Sequence, residues 1–481
     1  MNLSAWPWLE LTLLLPLIGA AVAALIKTPN TAARSSLGFL IGTLACATGA
    51  GITFTEGTVR SWHGFAVDEV SAPMLPAFAL LHFLTLLGTA KSRVSPMVCV
   101  RLLLAAFVNL GAVTAQDGWG IVTLLALGVL LPFWDLLSRG SPARGFLLHM
   151  LLFVPLLIVG WRMAENGQEL GYGLLLLALL LRGGIAPLHG WLPTLFQSAK
   201  YGAAMVFVLP LLEVLAALRL LLPATPAWML DAASVACLVT AVYGGGMAVV
   251  QEETRKFYAH LCVSQTSLVL FAVMLHTSNG LTAALCLWMS SMLALAGLAF
   301  SIRALEARFG ALSLREHHGY YEQVPGLAVC FLITGLASVG FPGTIGFVPM
   351  ELLISGSVEQ GLWVSGTLAV AAMLNGIAIM RAYFALFAGK RPTTSVSLQV
   401  TPVERVGIVS SRWWCSWAGG FRPEWCLPGT ARRTSCWIAE PSRHRFLPDG
   451  ESQAAFLPKG EPQMTQMTRM DENTLRRQAT A

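Results

Sequence analysis

Arg182 ends a leucine-rich run, Leu174 to Leu181, and is followed by Gly183-Gly184-Ile185-Ala186-Pro187-Leu188-His189-Gly190-Trp191-Leu192-Pro193. An arginine in hydrocarbon costs a few kcal/mol or more, so it normally faces a partner or a water-filled path. Gly183, Gly184 and Pro187 interrupt the helix and free backbone groups that protein or water must satisfy. A buried cation beside a broken helix is suited to moving charge across a membrane.

Further ionisable residues lie in apolar surroundings. Asp135 follows Phe133-Trp134, and Glu213 sits within Leu211-Leu212-Glu213-Val214-Leu215. Glu351 follows a second interruption, Gly340-Phe341-Pro342-Gly343-Thr344-Ile345-Gly346, and His189 lies beyond the first. Asp135 and Glu213 are opposite in charge to Arg182; such pairs lower each other's desolvation cost, and their separation sets how readily a proton moves. Arg255 and Lys256 would stand at a cytoplasmic entrance. Plainer roles are open too. Asp135 can pair with Arg139 one turn on, Arg182 can clamp the broken helix, His189 can pack near Trp191, and Arg255 and Lys256 can simply set orientation.

These residues need a membrane bundle to position them. Hydrophobic residues make up 55% of the chain and charged residues 12%, against about 25% charged in soluble domains, so the chain reads as polytopic. Windows of about 19 residues give about thirteen spans, near 9–26, 36–54, 72–90, 97–115, 119–137, 145–161, 171–189, 203–222, 229–250, 259–276, 281–302, 325–355 and 361–387. The first reads as a permanent span, not a cleaved leader. Odd-numbered loops hold Lys27, Arg34, Lys91, Arg93, Arg139, Arg144, Lys200, Arg255, Lys256, Arg303, Arg308 and Arg315; even-numbered loops hold little beyond Arg60 and Arg162. By the positive-inside rule the odd loops are cytoplasmic and the N-terminus is outside, in a bacterial inner membrane. The basic pI, near 8.9, fits loops against anionic lipid, not nucleic acid.

The chain divides into spans one to four (1–115), a core of spans five to thirteen (116–390) and a polar tail (391–481). Five of the 15 tryptophans lie between Trp413 and Trp437, in a stretch without helical or strand periodicity. Two readings stand for this tail: native disordered sequence, or a reading frame that shifts near 403–410. The nine cysteines show no disulfide or metal-ligand spacing. No cofactor is expected, because dinucleotide, iron–sulfur and haem motifs are all missing from the sequence.

From about Phe65 to Phe387 the chain resembles the antiporter-like, proton-translocating membrane subunits of respiratory complex I. Their relatives include Mrp-type antiporters, membrane-bound hydrogenases and the membrane subunit of inorganic-carbon transporters. Phe65-Ala66-Val67-Asp68-Glu69-Val70-Ser71 looks like the family's segment before the third span, and Phe133-Trp134-Asp135 like its Trp-Glu in span five. Arg182 to Pro193 resembles the broken seventh span, and Glu253 to Gln265 the Asp-Leu-Lys-Arg element. Ser338 to Val348 resembles the break in span twelve, and Arg381 to Phe384 the end of span thirteen.

The resemblance implies an all-α bundle with inverted five-helix repeats, broken in spans seven and twelve, and a charge relay at mid-membrane. The relay is altered here. Asp135 is one methylene shorter than the family glutamate, and Arg182 replaces a lysine that can be tuned to release its proton. Glu213 reverses the sign of a lysine, Ser291 stands for a histidine, and Met350 takes the place of a glutamate with Glu351 one residue late.

The first functional expectation is therefore a proton-translocating subunit of a complex I-like, NADH:quinone oxidoreductase-type assembly. Charge would move through Asp135, Arg182, His189, Glu213 and Glu351, with protons or Na⁺ as the ion and partner subunits supplying the redox chemistry. The alternatives are an ion-coupled membrane partner of a soluble enzyme, an Mrp-type antiporter subunit, or a structural subunit with a defunct path.

Overall fold

The computed structural model describes residues 6–54, 60–89, 94–138, 140 and 144–389, all within one compact unit. The calls on Lys91, Arg93, Arg139 and the tail lie outside the described residues. Sixteen α-helices follow in order among those described. They are α1 (Trp8–Leu25), α2 (Pro29–Ile52), α3 (Ser71–Leu87), α4 (Pro96–Thr114), α5 (Gly118–Ser138), α6 (Arg144–Glu165), α7 (Glu169–Arg182) and α8 (Trp191–Ser198). After these come α9 (Tyr201–Val208), α10 (Leu212–Ala216), α11 (Ala227–Val250), α12 (Thr254–Met274), α13 (Ser278–Phe309), α14 (Pro325–Val339), α15 (Phe347–Ser357) and α16 (Leu362–Phe387).

Among the described residues, ten segments are long and apolar enough to cross a membrane, and α3 and α14 are shorter apolar helices. The all-α bundle also carries one short hairpin among the described residues. Arg60–Trp62 and Phe65–Val67 pair antiparallel as β1 and β2, turning at His63 (φ 47°) and Gly64 (φ 85°). Two consecutive left-handed residues suit the right-handed twist of a tight hairpin.

The helices that carry charge are central. The α12 window is 100% buried and the segment 201–221 is 89% buried, against 33% for α2 and for α16. Lipid tails are as apolar as leucine, so helices associate through close packing at small residues. Gly244 of α11 shows this: a Cβ there would lie 2.9 Å from the Ser264 backbone nitrogen of α12.

The seventh span stops earlier than its apolar run suggests. Helix α7 ends at Arg182, and Gly184 (φ 69°) lets Ile185 N–H reach Leu180 O at 3.0 Å and Gly184 N–H reach Leu181 O at 3.1 Å. This pattern satisfies the last carbonyls of a helix. Trp191 adds an indole N–H to Leu181 O at 2.9 Å, and Thr240 Oγ1 accepts Ala186 N–H at 3.1 Å. His189 thus sits in the connection, not in the helix.

The eighth span, expected to be continuous, is also broken. Pro210 brings no N–H, Leu211 is left-handed (φ 46°), and the chain resumes as α10 and a π-turn at Ala217–Leu221. The twelfth span breaks between α14 and α15, as Gly340 (φ 82°), Pro342 and Gly343 (φ 83°) suggest. Helix α13 runs to Phe309, so Arg303 and Arg308, read as loop charges, lie on a helix.

Candidate functional site

Two buried ion pairs dominate the interior. The first joins α4 to α5: Arg101 Nη2 lies 3.1 Å from Asp135 Oδ1, with side chains 10% and 2% exposed. The backbone N–H of Lys200 donates to the other oxygen, Asp135 Oδ2, at 3.0 Å. Arg101 also donates to Ser138 Oγ at 3.2 Å and lies 5.7 Å from the Trp134 ring. Asp135 is therefore tied to two distant segments; Arg139 lies outside the described residues.

The second pair joins α7 to α10. Arg182 Nε lies 3.4 Å from Glu213 Oε2, with side chains 2% and 5% exposed. The contact has ion-pair distance without hydrogen-bond geometry, and Arg182 Nε and Nη1 have no hydrogen-bond partner among the described residues. The guanidinium rests instead on aromatic faces, 4.3 Å from the Phe207 ring and 5.7 Å from Phe153, with one weak donation to Phe207 O at 3.5 Å. A cation over a ring face is attracted by the ring's negative quadrupole, more so away from water. The space beside the pair, lined by Trp191, Leu192, Val208 and Thr266 among others, is too tight for a water molecule. The pair is dry.

A cavity of about 620 Å³ lies beside the first of these pairs. Asp135 and Arg101 line it, with Lys200, Tyr201, Asn109 and Phe207. From Lys200 to Phe207 along α9 is roughly 10 Å at the helical rise. Phe207 lines this cavity and also the small space beside Arg182.

Arg255 is held harder than an entrance charge need be. Its guanidinium donates to both Glu306 oxygens, at 2.8 and 2.7 Å, and to Phe196 O at 3.2 Å. Lys256 pairs with Glu253 at 3.0 Å, and Gln197 donates to the same carboxylate at 2.7 Å. These two donors, Lys256 first, hold the Glu253 carboxyl below the usual carboxylate range.

The structure brings Arg182 and Glu213 into contact and places Asp135 on the cavity wall. His189 belongs to a different group: its Nε2 meets the Tyr243 hydroxyl at 3.0 Å, and its ring lies 6.3 Å from that of His260. Glu351 is exposed on α15, while Met350 beside it is buried. Ser291 contacts Gln265 at 3.4 Å.

Sequence reasoning passed over several residues. Arg101 is a lone cation in the apolar helix α4, the same signal that singled out Arg182, but its nearness to Lys91 and Arg93 hid it. His82, fully buried, bonds through Nδ1 to Phe78 O at 2.7 Å and through Nε2 to the Asn109 amide at 3.1 Å. That amide also donates to Val206 O at 2.9 Å. At the opposite end of the bundle, Arg219 pairs with Asp68 at 2.7 Å and donates to Val113 O at 2.9 Å and to Ala115 O. The six described cysteines are free thiols.

Residues 149–375 match the model of a family described as the transmembrane region of NADH:quinone oxidoreductase and Mrp antiporters. An NAD(P)H-quinone oxidoreductase chain 4 of Synechococcus elongatus is 25% identical over 431 residues, covering 79% of this chain and 80% of the relative. A chain of respiratory complex I from Thermus thermophilus has the same fold, with a TM-score of 0.78 at 20% identity over 89% of this chain and 99% of that one. A chain of the Mrp complex from Dietzia sp. gives 0.72 at 21% identity, over 82% of each. With ten apolar helices and these relatives, the chain is an integral membrane protein.

Proposed function

We propose that this chain, whose residues 149–375 match the NADH:quinone oxidoreductase/Mrp antiporter transmembrane family model, is a proton-translocating subunit of a multi-subunit, quinone oxidoreductase-type membrane complex. The observation that carries this reading is the dry pair Arg182–Glu213 beside Phe207, which also lines a cavity whose wall holds the pair Arg101–Asp135. Its relatives' names, NAD(P)H-quinone oxidoreductase chains, supply the assembly.

The arginines cannot be the proton carriers, because a guanidinium stays protonated throughout. The mobile proton belongs to Asp135 and Glu213. Arg182 acts as a movable field beside Glu213, and a change in their separation changes how readily the buried acid takes up or releases a proton. Asp135, reached from the cavity, is the group that exchanges with the basic-loop side. His189, with Tyr243 and His260, forms a second titratable group nearer the surface. Glu351, exposed on α15, is left out of the relay. A dry pair without room for water also favours H⁺ over Na⁺, which needs several oxygen ligands or a hydration shell. The basic loops face the cytoplasm of a bacterial inner membrane, with the N-terminus outside.

Purified complex in proteoliposomes, energised through its own substrates, tests the reading with Asp135→Asn. Proton uptake should fall by about tenfold or more, the rate equivalent of 1.4 kcal/mol. Wild-type uptake by this variant would refute the role of Asp135.

A further inference from the structure

Pro210 leaves backbone carbonyls to be satisfied at the break in span eight, and three distant side chains meet them. In an unbroken helix Val206 O would accept from the N–H of residue 210, which proline lacks. Leu211 N–H turns to Val208 O at 3.2 Å. Buried carbonyls without donors are costly in a membrane bundle. Asn109 Nδ2 of α4 donates to Val206 O at 2.9 Å, Arg182 Nη2 of α7 reaches Phe207 O at 3.5 Å, and Trp288 Nε1 of α13 donates to Pro210 O at 2.9 Å. Leu211 is left-handed (φ 46°), a conformation that a non-glycine residue keeps only where its surroundings over-determine it. Two residues further on stands Glu213 of α10.

The Asn109 contact has a second member. Only the nitrogen end of the amide can face a carbonyl oxygen, so Val206 O fixes which way the amide points. The other amide hydrogen then meets His82 Nε2, 3.1 Å away, which must present its lone pair. The His82 proton is therefore on Nδ1, where Phe78 O accepts it at 2.7 Å. Both side chains are buried, His82 fully. Each hydrogen bond fixes the next, from α3 through α4 to the end of α9.

We propose that Asn109 is a positioning residue for the Arg182–Glu213 pair, oriented by neutral His82. Its amide stands in for the N–H that Pro210 lacks, and so holds in place the segment that carries Glu213. The functional consequence rests on the conduction reading above; the structural one does not. His82→Leu removes the acceptor that steers the amide. His82→Gln places a carbonyl oxygen close to the position of Nε2 and keeps the amide pointing at Val206 O.

The assembled complex is purified with each variant, and amide hydrogen exchange is followed by mass spectrometry on peptides covering 205–216, with peptides of α1 as the control. Asn109→Leu should speed exchange in 205–216 by about tenfold and His82→Leu by roughly fivefold, the scale of one hydrogen bond lost or misdirected, while α1 stays unchanged. His82→Gln should return the wild-type rate. Proton uptake in proteoliposomes should fall in both leucine variants and recover in His82→Gln. If Asn109→Leu does not assemble, Asn109→Ala serves, since it only enlarges a cavity that this side chain already lines. Wild-type exchange over 205–216 in the Asn109 variant would overturn the inference. So would a His82→Gln protein that behaves like His82→Leu. Faster exchange with undiminished uptake would leave the positioning role standing and count against conduction through Glu213, so the two readings fail separately.

Discussion

The guanidinium of Arg182 lies 4.3 Å over the ring of Phe207, and Phe207 also lines the large cavity. One aromatic side chain therefore both stabilises the buried cation and borders the cavity. Replacing it should do two opposite things. Phe207→Ala removes the ring face and enlarges the space beside Arg182, so passive proton leak under an imposed potential should rise while the thermal midpoint falls, by roughly 3 kcal/mol of stability. A pH-sensitive dye trapped in proteoliposomes reads the leak; a tight vesicle with this variant would show that Phe207 is only packing.

Arg101 and Asp135 form a pair in which each is the other's main charge partner. Removing one member of a buried pair costs about 3–5 kcal/mol, because the other is left uncompensated. Arg101→Gln should therefore destabilise strongly, and Arg101→Gln combined with Asp135→Asn should recover part of the loss. A double-mutant cycle on thermal or denaturant unfolding checks this; additive effects would mean that the pair is not coupled.

At the opposite end of the bundle, Arg219 ties the π-turn after α10 to Asp68 and to the carbonyls that end α4. Arg219→Gln should lower stability by about 1–3 kcal/mol, through loss of charged hydrogen bonds to partly buried oxygens. Because α10 also carries Glu213, the same variant should slow proton uptake even though it lies far from the cavity. Stability and uptake measured together would separate these effects, and full uptake in the variant would uncouple the two ends.

Glu253 gives a pH signature. Its carboxyl is held below the usual range when folded, chiefly by Lys256, so its stabilising contribution is present above the unfolded value, near 4.5, and fades as pH falls through the folded value. The thermal midpoint of wild type minus that of Glu253→Gln should thus be positive at neutral pH and shrink in acid below that point. A difference that does not change with pH would place the effect elsewhere.

Much of the architecture was legible from hydropathy. The interruptions after Arg182 and Val339 announce themselves as Gly-Pro clusters, and the helices end there. The break at Pro210–Leu211 did not, since a single proline in an apolar run also fits a kinked helix and residue type says nothing of a left-handed leucine. The hairpin rests on His63-Gly64, too short a signal beside neighbouring spans.

The site was half legible. Burial of a charge can be read from its apolar neighbours, which singled out Asp135, Arg182 and Glu213. Partner choice cannot. Arg101 meets Asp135, Arg255 meets Glu306 and Arg219 meets Asp68 across long stretches of chain, so no local spacing encodes them. Glu351 carried the same local signal as Glu213, yet its helix turns it outward. The cavity arises where α3, α4, α5, α9, α12 and α13 meet, which no single segment records.

In the proposed path, Glu213 is the group on which conduction would depend most directly. Proton uptake by proteoliposomes holding the intact complex should be compared for wild type and Glu213→Gln, with assembly checked by subunit content. A fall of about tenfold or more in a fully assembled complex is the predicted result. Undiminished uptake by the assembled Glu213→Gln complex would contradict proton transfer through the Arg182–Glu213 pair.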